Sequence, residues 1–237
     1  MKLDNQVIFV SGTNRGIGKA IVDALIKRKV KKIYAAARNI DQLNWKDARV
    51  LPVQLDITSS QQIQQAAAKA QDVNVLINNA GALSPGTVLT AKESDLIRDM
   101  QVNYFGTLNM IRAFEPVITK NGPGAMANIS SVVGLASMYQ AAGYSASKAA
   151  VFSASQALRV ELKPKNISVH TVFPGPIDTD MARDFDFEKT SAETAAENII
   201  KGIEAGNEDI FPDSFSVNIG ASWSKDPKSV ERSFAAM

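Results

Sequence analysis

The sequence contains no cysteine and only one histidine, and these two scarcities exclude several kinds of site. Without cysteine the chain can form neither disulfides nor thiolate metal sites, so we expect a protein of a reducing compartment. The single histidine, His170, cannot build a zinc site by itself, and we predict no metal. No nucleophile pairs with His170 in the sequence, so we interpret it as a packed residue of a strand.

Long hydrophobic runs are also missing. No segment approaches the roughly 20 apolar residues that a helix needs to cross a bilayer. The first residues, MKLDNQVIFV, lack the apolar core of a secretory signal. The basic run at residues 27–32 has no nucleic-acid motif or aromatic stacking platform beside it, so we interpret it as a solvated helix end. We therefore expect a soluble cytoplasmic protein without a membrane or nucleic-acid partner.

Short apolar runs alternate with longer amphipathic stretches along the 237 residues. The predicted strands are Val7–Ser11, Lys32–Ala37, Val50–Leu55, Val73–Asn78, Ala125–Ile129 and Ile167–Phe173. The predicted helices are Gly16–Lys29, Ser60–Ala70, Ala91–Thr119, Tyr144–Leu162 and Ala192–Ala205. This alternation predicts an α/β fold, a Rossmann-type doubly wound parallel sheet of about seven strands with helices on both faces. We expect one domain over residues 1–237, with a cofactor half (roughly residues 1–120) and a catalytic and substrate half (roughly residues 121–237).

A glycine-rich loop follows the first predicted strand and opens the first helix, with the sequence SGTNRGIG at residues 11–18. Gly12 allows a sharp turn, and Gly16 and Gly18 allow the backbone to approach a pyrophosphate and the helix to pack on the sheet. The free N–H groups at the start of the helix can bind phosphate oxygens. The loop therefore predicts a dinucleotide site.

The end of the second strand indicates which dinucleotide binds. A protein that uses NAD normally carries an acidic residue there for the ribose 2′-hydroxyl, but this chain has Ala35–Ala37 followed by Arg38. Arg38 can form charge-assisted hydrogen bonds with a 2′-phosphate, and Arg15 lies in the loop at the same end of the cofactor. Two arginines without an acid predict NADP(H), although both could be ordinary surface residues.

A candidate catalytic set lies downstream. Tyr144 and Lys148 are four residues apart, which places them on one face of a helix. We expect the ammonium to lower the phenol pKa and so help Tyr144 to deliver a proton to a developing alkoxide. Ser131 follows a strand and could donate to a substrate carbonyl, with Ser130 as the rival.

These features resemble the short-chain dehydrogenase/reductase family over nearly the whole chain. The motifs in family order are SGTNRGIG at 11–18, LDI at 55–57, NNAG at 78–81, Asn103 in QVNYFG, Ser131, Tyr144 with Lys148, and PGPIDT at 174–179. The resemblance implies that Asp56 and Ile57 hold the adenine. It also implies that Asn103 holds a water that links Lys148 to solvent.

The resemblance further implies contacts from the NNAG segment to the cofactor riboses and from Ile177 and Thr179 to the nicotinamide carboxamide. With the glycine loop and the two arginines, the predicted cofactor site is Gly12, Thr13, Asn14, Arg15, Gly16, Ile17, Gly18, Arg38, Asp56, Ile57, Asn79, Ala80, Gly81, Tyr144, Lys148, Pro174, Gly175, Ile177 and Thr179. The predicted catalytic residues are Asn103, Ser131, Tyr144 and Lys148.

The expected substrate wall is apolar, and the segment DMARDFDFEKTS at 180–191 is its expected lid. The wall candidates are Leu83, Val133, Leu135, Met138, Tyr139, Met181, Phe185 and Phe187. The lid carries an excess of acidic residues, which disfavours an acidic carrier protein. We therefore predict an NADPH-dependent reductase of small apolar or aryl ketones and aldehydes. The alternatives are a 3-oxoacyl-carrier-protein reductase, an NAD-dependent alcohol or diol dehydrogenase, and a non-catalytic cofactor sensor.

The resemblance also implies a homo-tetramer or homo-dimer in which the helices Ala91–Thr119 and Tyr144–Leu162 pair across a two-fold axis. The tail after Phe211 follows no pattern that assigns it. Trp223 and Phe234 could pack at a subunit contact or near the substrate pocket.

Overall fold

Parallel strands form the central sheet in a computed structural model that describes residues 1–183, 186 and 188–236. Within those residues the strands are β1 (Val7–Ser11), β2 (Lys32–Ala37), β3 (Val50–Gln54), β4 (Val75–Asn78), β5 (Gly124–Ile129), β6 (Ile167–Val172), β7 (Ile177–Asp178), β8 (Thr190–Ser191) and β9 (Asp209–Ile210). Seven of them form one sheet in the order β3-β2-β1-β4-β5-β6-β9, and every neighbouring pair is parallel. The predicted doubly wound parallel sheet is confirmed.

Helices cover both faces of this sheet. They are α1 (Gly16–Ile26), α2 (Ser60–Lys69), α3 (Glu93–Asp99), α4 (Thr107–Asn121), α5 (Ala142–Leu162), α6 (Ala192–Ala205), α7 (Ser214–Lys225) and α8 (Pro227–Ala235). Alternate side chains of β1 point to opposite faces. Ile8 and Val10 pack under α1 and α6, whereas Val7 and Phe9 pack under α2 and α4. Both faces are therefore apolar, which is why the strands read as continuous hydrophobic runs.

The strand order reverses between β1 and β4, where the chain leaves β1 toward β2 on one side and later returns to β4 on the other. In open parallel sheets, a crevice forms at such a reversal, outside the carboxyl ends of the strands. Ser11 and Asn78 end the two strands at this point. The glycine loop and the segment after β4 therefore lie side by side.

The C-terminal tail packs against the body of the protein through α7 and α8. Phe234 is buried in a third apolar cluster with Phe173 and Val230. Trp223 lies edge-on to Phe152 of α5, with ring centroids 6.0 Å apart. The tail thus completes the core beside α5 and the 132–136 segment.

His170 is buried in β6 and both of its ring nitrogens have partners. Nδ1 lies 2.6 Å from the Asn207 carbonyl oxygen, and Nε2 lies 2.9 Å from the Ser168 hydroxyl. Burial lowers the pKa of His170 below its usual value. These contacts agree with a packed strand residue.

Within the described ranges, no helix is long and apolar enough to span a membrane. The same residues contain no cluster of three or more histidine or acidic side chains that could hold a metal ion.

Candidate active site

The glycine loop packs directly against the segment that follows β4. Gly12 has φ +71°, and a Cβ there would lie 2.8 Å from the Ala80 Cα atom. The Asn79 side-chain amide donates to the carbonyl oxygens of Ser11 and Gly12, at 3.0 and 2.9 Å. The first N–H groups of α1 are not capped by the Arg15 side chain. The start of α1 therefore offers free donors to an anion.

Several residues predicted to bind cofactor have buried side chains that contact other parts of the protein. The Thr13 hydroxyl is fully buried and donates to the Ala36 carbonyl oxygen, and the Thr13 N–H donates to the same atom. Ile57 and Ile177 are buried in the two apolar layers. The predicted cofactor contacts of Thr13, Ile57 and Ile177 stay predictions, and burial of these side chains leaves the backbone as the part that could make them.

Arg15 of the glycine loop forms an ion pair with Asp180, a partner that the sequence did not indicate. Its Nη1 atom lies 3.1 Å from Asp180 Oδ2, in the loop after β7, and Arg183 pairs with the same carboxylate. Both arginines are largely exposed, so these pairs are weak. Arg15 would have to leave Asp180 to reach a 2′-phosphate beside Arg38, so this contact stays a prediction.

Arg38 is exposed at the end of β2, beside Asp56. Burial alone would raise the pKa of Asp56, but hydrogen bonds from Thr58 and the nearby Arg38 charge hold it below its usual value. The Asn14 amide donates to Gln42 in the turn that follows Arg38. The glycine loop is thereby tied to the β2 end where a 2′-phosphate is expected.

The two candidate serines at the end of β5 have different roles. Ser130 is buried and its hydroxyl donates to the Lys148 carbonyl oxygen at 2.8 Å, inside the protein. The Ser131 hydroxyl donates to the Pro174 carbonyl oxygen at 3.3 Å and lies close enough to Tyr144 to lower the pKa of its phenol. The geometry therefore favours Ser131 over Ser130 as the serine beside the phenol.

Tyr144 and Lys148 share one face of α5, with Lys148 Nζ 5.5 Å from the centre of the Tyr144 ring. The ammonium donates to the Ile129 carbonyl oxygen at 2.7 Å. Burial raises the pKa of Tyr144 to about 12 and lowers the pKa of Lys148 to about 8. The expectation that the ammonium lowers the phenol pKa is wrong, because burial raises this pKa and the hydrogen bond that lowers it comes from Ser131.

The predicted helix Ala91–Thr119 is interrupted at Asn103. A π-helical turn, Met100–Gly106, separates α3 from α4. The Asn103 amide donates to the Ala82 carbonyl oxygen and to the Ser147 hydroxyl, and its oxygen accepts from the Ala82 N–H, all at 2.8 Å. A Cβ at Gly81 would lie 3.1 Å from Asn103 Oδ1 and 3.5 Å from Lys148 Nζ. Asn103, Gly81 and Lys148 therefore converge, and π-turns often mark functional sites.

Asp213 is a supporting residue that sequence reasoning missed. Its buried carboxylate caps α7 and accepts from the Gly175 N–H at 2.9 Å. Asp213 therefore fixes the PGPIDT loop, whose Pro174 carbonyl holds Ser131. The available signal was the capping pattern of Asp213 with Ser216 three residues later.

The structure describes six of the eight residues predicted to form the substrate wall. Leu83, Val133 and Met138 are half-buried, and Tyr139 and Met181 are exposed. Val133 and Leu135 pack against the third apolar cluster, and Tyr139 lines a cleft that faces Lys228 and Glu231 of α8. Phe185 and Phe187 lie outside the described residues. Helix α8, which carries Phe234, thus borders this region.

Known proteins with similar sequences are oxidoreductases. A family model described as short chain dehydrogenase matches residues 6–189. An uncharacterized oxidoreductase of Schizosaccharomyces pombe is 34% identical over 209 residues, 81% of this chain and 83% of that protein. A 3-oxoacyl-[acyl-carrier-protein] reductase of Thermotoga maritima is 32% identical over 192 residues, 76% of this chain and 78% of that protein.

A solved structure extends the likeness to the whole fold. A short chain dehydrogenase from Burkholderia cenocepacia, solved in complex with NADP, superposes with a TM-score of 0.94 at 35% identity over 99% of both chains. The similarity to this structure extends over the C-terminal residues after 189, which the family model does not match. The sequence match, the fold and the site geometry agree, and the chain belongs to the short-chain dehydrogenase family of oxidoreductases.

Proposed function

We propose that this protein is an NADP(H)-dependent reductase that converts small, uncharged, apolar or aryl ketones and aldehydes to alcohols. The observation that carries the proposal is the approach of Ser131, Tyr144 and Lys148 to one another at the carboxyl edge of the sheet, beside the glycine loop. The crevice there is suited to a dinucleotide. A carbonyl over Tyr144 would have a proton donor within reach.

Each residue has a separate part in the proposed reduction. The nicotinamide, when bound, supplies the hydride. Ser131 donates a hydrogen bond to the carbonyl oxygen, and Tyr144 delivers its phenolic proton to that oxygen as charge develops. Lys148 donates to the Ile129 carbonyl and, in the proposal, also to the cofactor ribose. Asn103 is proposed to hold a water that returns a proton to this pair from solvent.

Two features support NADP(H) as the cofactor. Arg38 is exposed at the end of β2, where no carboxylate stands to accept from a 2′-hydroxyl. The Burkholderia cenocepacia relative, at 35% identity, was solved with NADP. The crevice suits the cofactor because Gly12 and Gly18 leave no room for a Cβ and α1 begins with free N–H groups.

The charge around the crevice supports an uncharged substrate. Residues 178–191 carry five acidic side chains against two basic ones, so this segment stays net negative although Asp180 pairs with Arg15 and Arg183. Like charge disfavours an acidic carrier protein at this surface. Reduction of carrier-bound 3-oxoacyl chains is the second candidate, because relatives at about 30% identity carry that name.

We also propose that the protein is a homo-oligomer. Phe105, in the π-helical turn, is 46% exposed, and Val160 on α5 is 77% exposed. Both are large apolar residues of the helices predicted to pair, and burial against a second copy would remove them from water.

A substrate panel tests the proposed function. NADPH consumption is followed by its absorbance with small ketones, aryl ketones, aldehydes and a carrier-bound 3-oxoacyl chain, each in parallel with NADH. We expect turnover of the uncharged carbonyl compounds with NADPH and little with the carrier-bound chain. Efficient reduction of the carrier-bound chain would instead support the second candidate.

The cofactor preference gives a second prediction. Arg38→Ala is expected to raise the Kd for NADPH by roughly ten- to a hundredfold, the value of one or two charge-assisted hydrogen bonds, and to leave NADH unchanged. Arg15→Ala should have a smaller effect, because Arg15 must release Asp180 before it binds phosphate. Calorimetric titration with both cofactors measures this, and Arg112→Ala on the exposed face of α4 is the control. Equal losses for NADH and NADPH would contradict a 2′-phosphate contact.

A further inference from the structure

Asp213 caps the N-terminus of α7 and contacts the loop that follows β6, and the proposed reaction assigns it no part. It is buried, with 4% of its surface exposed. Its Oδ1 atom accepts from the Ser216 N–H at 2.8 Å, and its Oδ2 atom accepts from the Gly175 N–H at 2.9 Å. One carboxyl group therefore joins the start of α7 to the PGPIDT loop.

The bond to Gly175 takes the place of a hydrogen bond of the sheet. Just beyond β6, the Phe173 N–H donates to the Ile210 carbonyl oxygen of β9 at 2.8 Å. Hydrogen bonds of a parallel pair recur at every second residue, so the next one would join the Gly175 N–H to the Pro212 carbonyl oxygen. That oxygen instead accepts from the Asn198 side chain at 2.9 Å. The carboxyl group at the start of α7 replaces it and extends the pairing into the loop.

The peptide group between Pro174 and Gly175 connects this carboxyl group to Ser131. Its N–H belongs to Gly175, and its carbonyl oxygen belongs to Pro174. That oxygen accepts from the Val132 N–H at 3.1 Å and from the Ser131 hydroxyl at 3.3 Å. A peptide group is planar and rigid, so its N–H and its carbonyl oxygen move together. Displacement of the Gly175 N–H therefore displaces the oxygen that Ser131 contacts.

The start of α7 also packs directly against this peptide group. A Cβ at Gly175 would lie 2.7 Å from Asp213 Oδ1 and 2.8 Å from Phe215 Cδ1. These distances are shorter than a side chain tolerates, so the approach is possible because residue 175 is glycine. The position of the loop therefore depends on the position of Asp213.

The Ser131 oxygen keeps its hydrogen available for a substrate in this arrangement. It donates to the Pro174 carbonyl oxygen and accepts from the Val133 N–H, both at 3.3 Å. Both bonds are long, so the hydroxyl hydrogen can turn to a substrate carbonyl while the oxygen keeps its place.

We propose that Asp213 is a positioning residue of the reaction, which fixes the peptide group of Pro174 and Gly175 and thereby places the Ser131 hydroxyl for the substrate carbonyl. Asp213 acts through Ser131 and touches neither substrate nor cofactor. This inference rests on the proposed function for the role of Ser131. It gives the C-terminal tail a part in the site, although the tail follows the residues that the family model matches.

Amide hydrogen exchange tests the placement of the loop in the protein without cofactor or substrate. Asparagine caps helices as well as aspartate does, so Asp213→Asn can still bond the Ser216 N–H. It has one acceptor atom in place of two, so the Gly175 N–H loses its partner. NMR should show roughly tenfold faster exchange at Gly175, the equivalent of one hydrogen bond, and faster exchange at Val132, whose acceptor moves with the same peptide group.

Ser216→Ala is the matched control. The Ser216 hydroxyl accepts from the Asp213 N–H at 3.1 Å and completes the capping box of α7. Its removal weakens the same helix end and leaves the carboxyl group of Asp213 and its bond to Gly175 in place. This variant should lose stability and keep the wild-type exchange rates at Gly175 and Val132.

Kinetics provide the second readout. In Asp213→Asn the kcat for carbonyl reduction should fall roughly tenfold with little change in KM, because a misplaced Ser131 loses a contact that strengthens as charge develops. Ser216→Ala should keep the wild-type kcat. In the Ser131→Ala background, Asp213→Asn should lower kcat by less than about twofold, since the residue through which it acts is gone. A full loss in that background would overturn the proposal.

If Asp213→Asn does not fold, Asp213→Ser keeps an N-cap oxygen that is too short to reach Gly175, and it should give the same pattern. Unchanged exchange at Gly175 and Val132 in every folded variant would overturn the proposal. Wild-type turnover with equal kcat in Asp213→Asn and Ser216→Ala would also overturn it and leave the proposed function standing. Faster exchange in Asp213→Asn, in a protein whose wild type reduces no carbonyl compound, would refute the proposed function and leave the placement of Ser131 by Asp213 standing.

Discussion

Replacing Tyr144 with phenylalanine is expected to lower kcat for carbonyl reduction by roughly 10²- to 10⁴-fold, the range that a general acid contributes. The phenol is the proton donor beside Ser131, and burial raises its pKa to about 12, so it is neutral and protonated at physiological pH. Phenylalanine fills the same space and leaves the carbonyl oxygen without this proton. Cofactor affinity should change little, because the ring and Lys148 remain. Steady-state kinetics with NADPH, together with calorimetric cofactor titration, measure both quantities.

Tyr34→Phe is the matched control. It removes a phenol hydroxyl that donates to Asp72 at 2.9 Å at the start of β2, at the opposite end of that strand from Arg38. This control should keep kcat near the wild-type value and lose only some stability, about 1 kcal/mol for one hydrogen bond. If the kcat of Tyr144→Phe equals that of Tyr34→Phe, Tyr144 is not the general acid and the proposed mechanism is wrong.

The regular elements of the fold could be predicted because their signals are local. β1 and β2 are buried on both faces and read as largely apolar runs, and their predicted limits agree with the structure. β9 was missed because Asp209–Ile210 is too short to carry a pattern. Its pairing with β6 depends on tertiary packing.

The features of the site that escaped prediction depend on distant partners. In the π-turn, the Asn103 side chain is hydrogen-bonded to Ala82, 21 residues away in the sequence. Arg15 pairs with Asp180, 165 residues away, and no local pattern could have indicated it. The pKa of Tyr144 moved opposite to expectation because the sequence shows the neighbouring ammonium but not the depth of burial.

Gly18→Ala is expected to disrupt the glycine loop and with it the cofactor site. A Cβ at Gly18 would lie 2.1 Å from the Gly12 carbonyl oxygen and 2.4 Å from Asn79 Nδ2. The nearest atom is the backbone oxygen of Gly12, so the clash can be relieved only if the loop moves away from α1. Overpacking of this kind costs about 1–3 kcal/mol of unfolding free energy. The displaced loop should also lower NADPH affinity by roughly tenfold or more, since each 1.4 kcal/mol lost at the pyrophosphate contacts is a factor of ten.

Gly206→Ala is the control for Gly18→Ala, because it introduces backbone strain without a steric clash. Gly206 has φ +79°, and a Cβ there would meet nothing within 4 Å. This variant should lose about 1–2 kcal/mol from the left-handed conformation alone and keep its NADPH affinity. Gly18 does not have a left-handed φ, so its effect is purely one of space. Chemical denaturation and calorimetric cofactor titration of the two variants separate these causes. Wild-type NADPH affinity in Gly18→Ala would mean that the loop tolerates a side chain there and does not bind the pyrophosphate as closely as proposed.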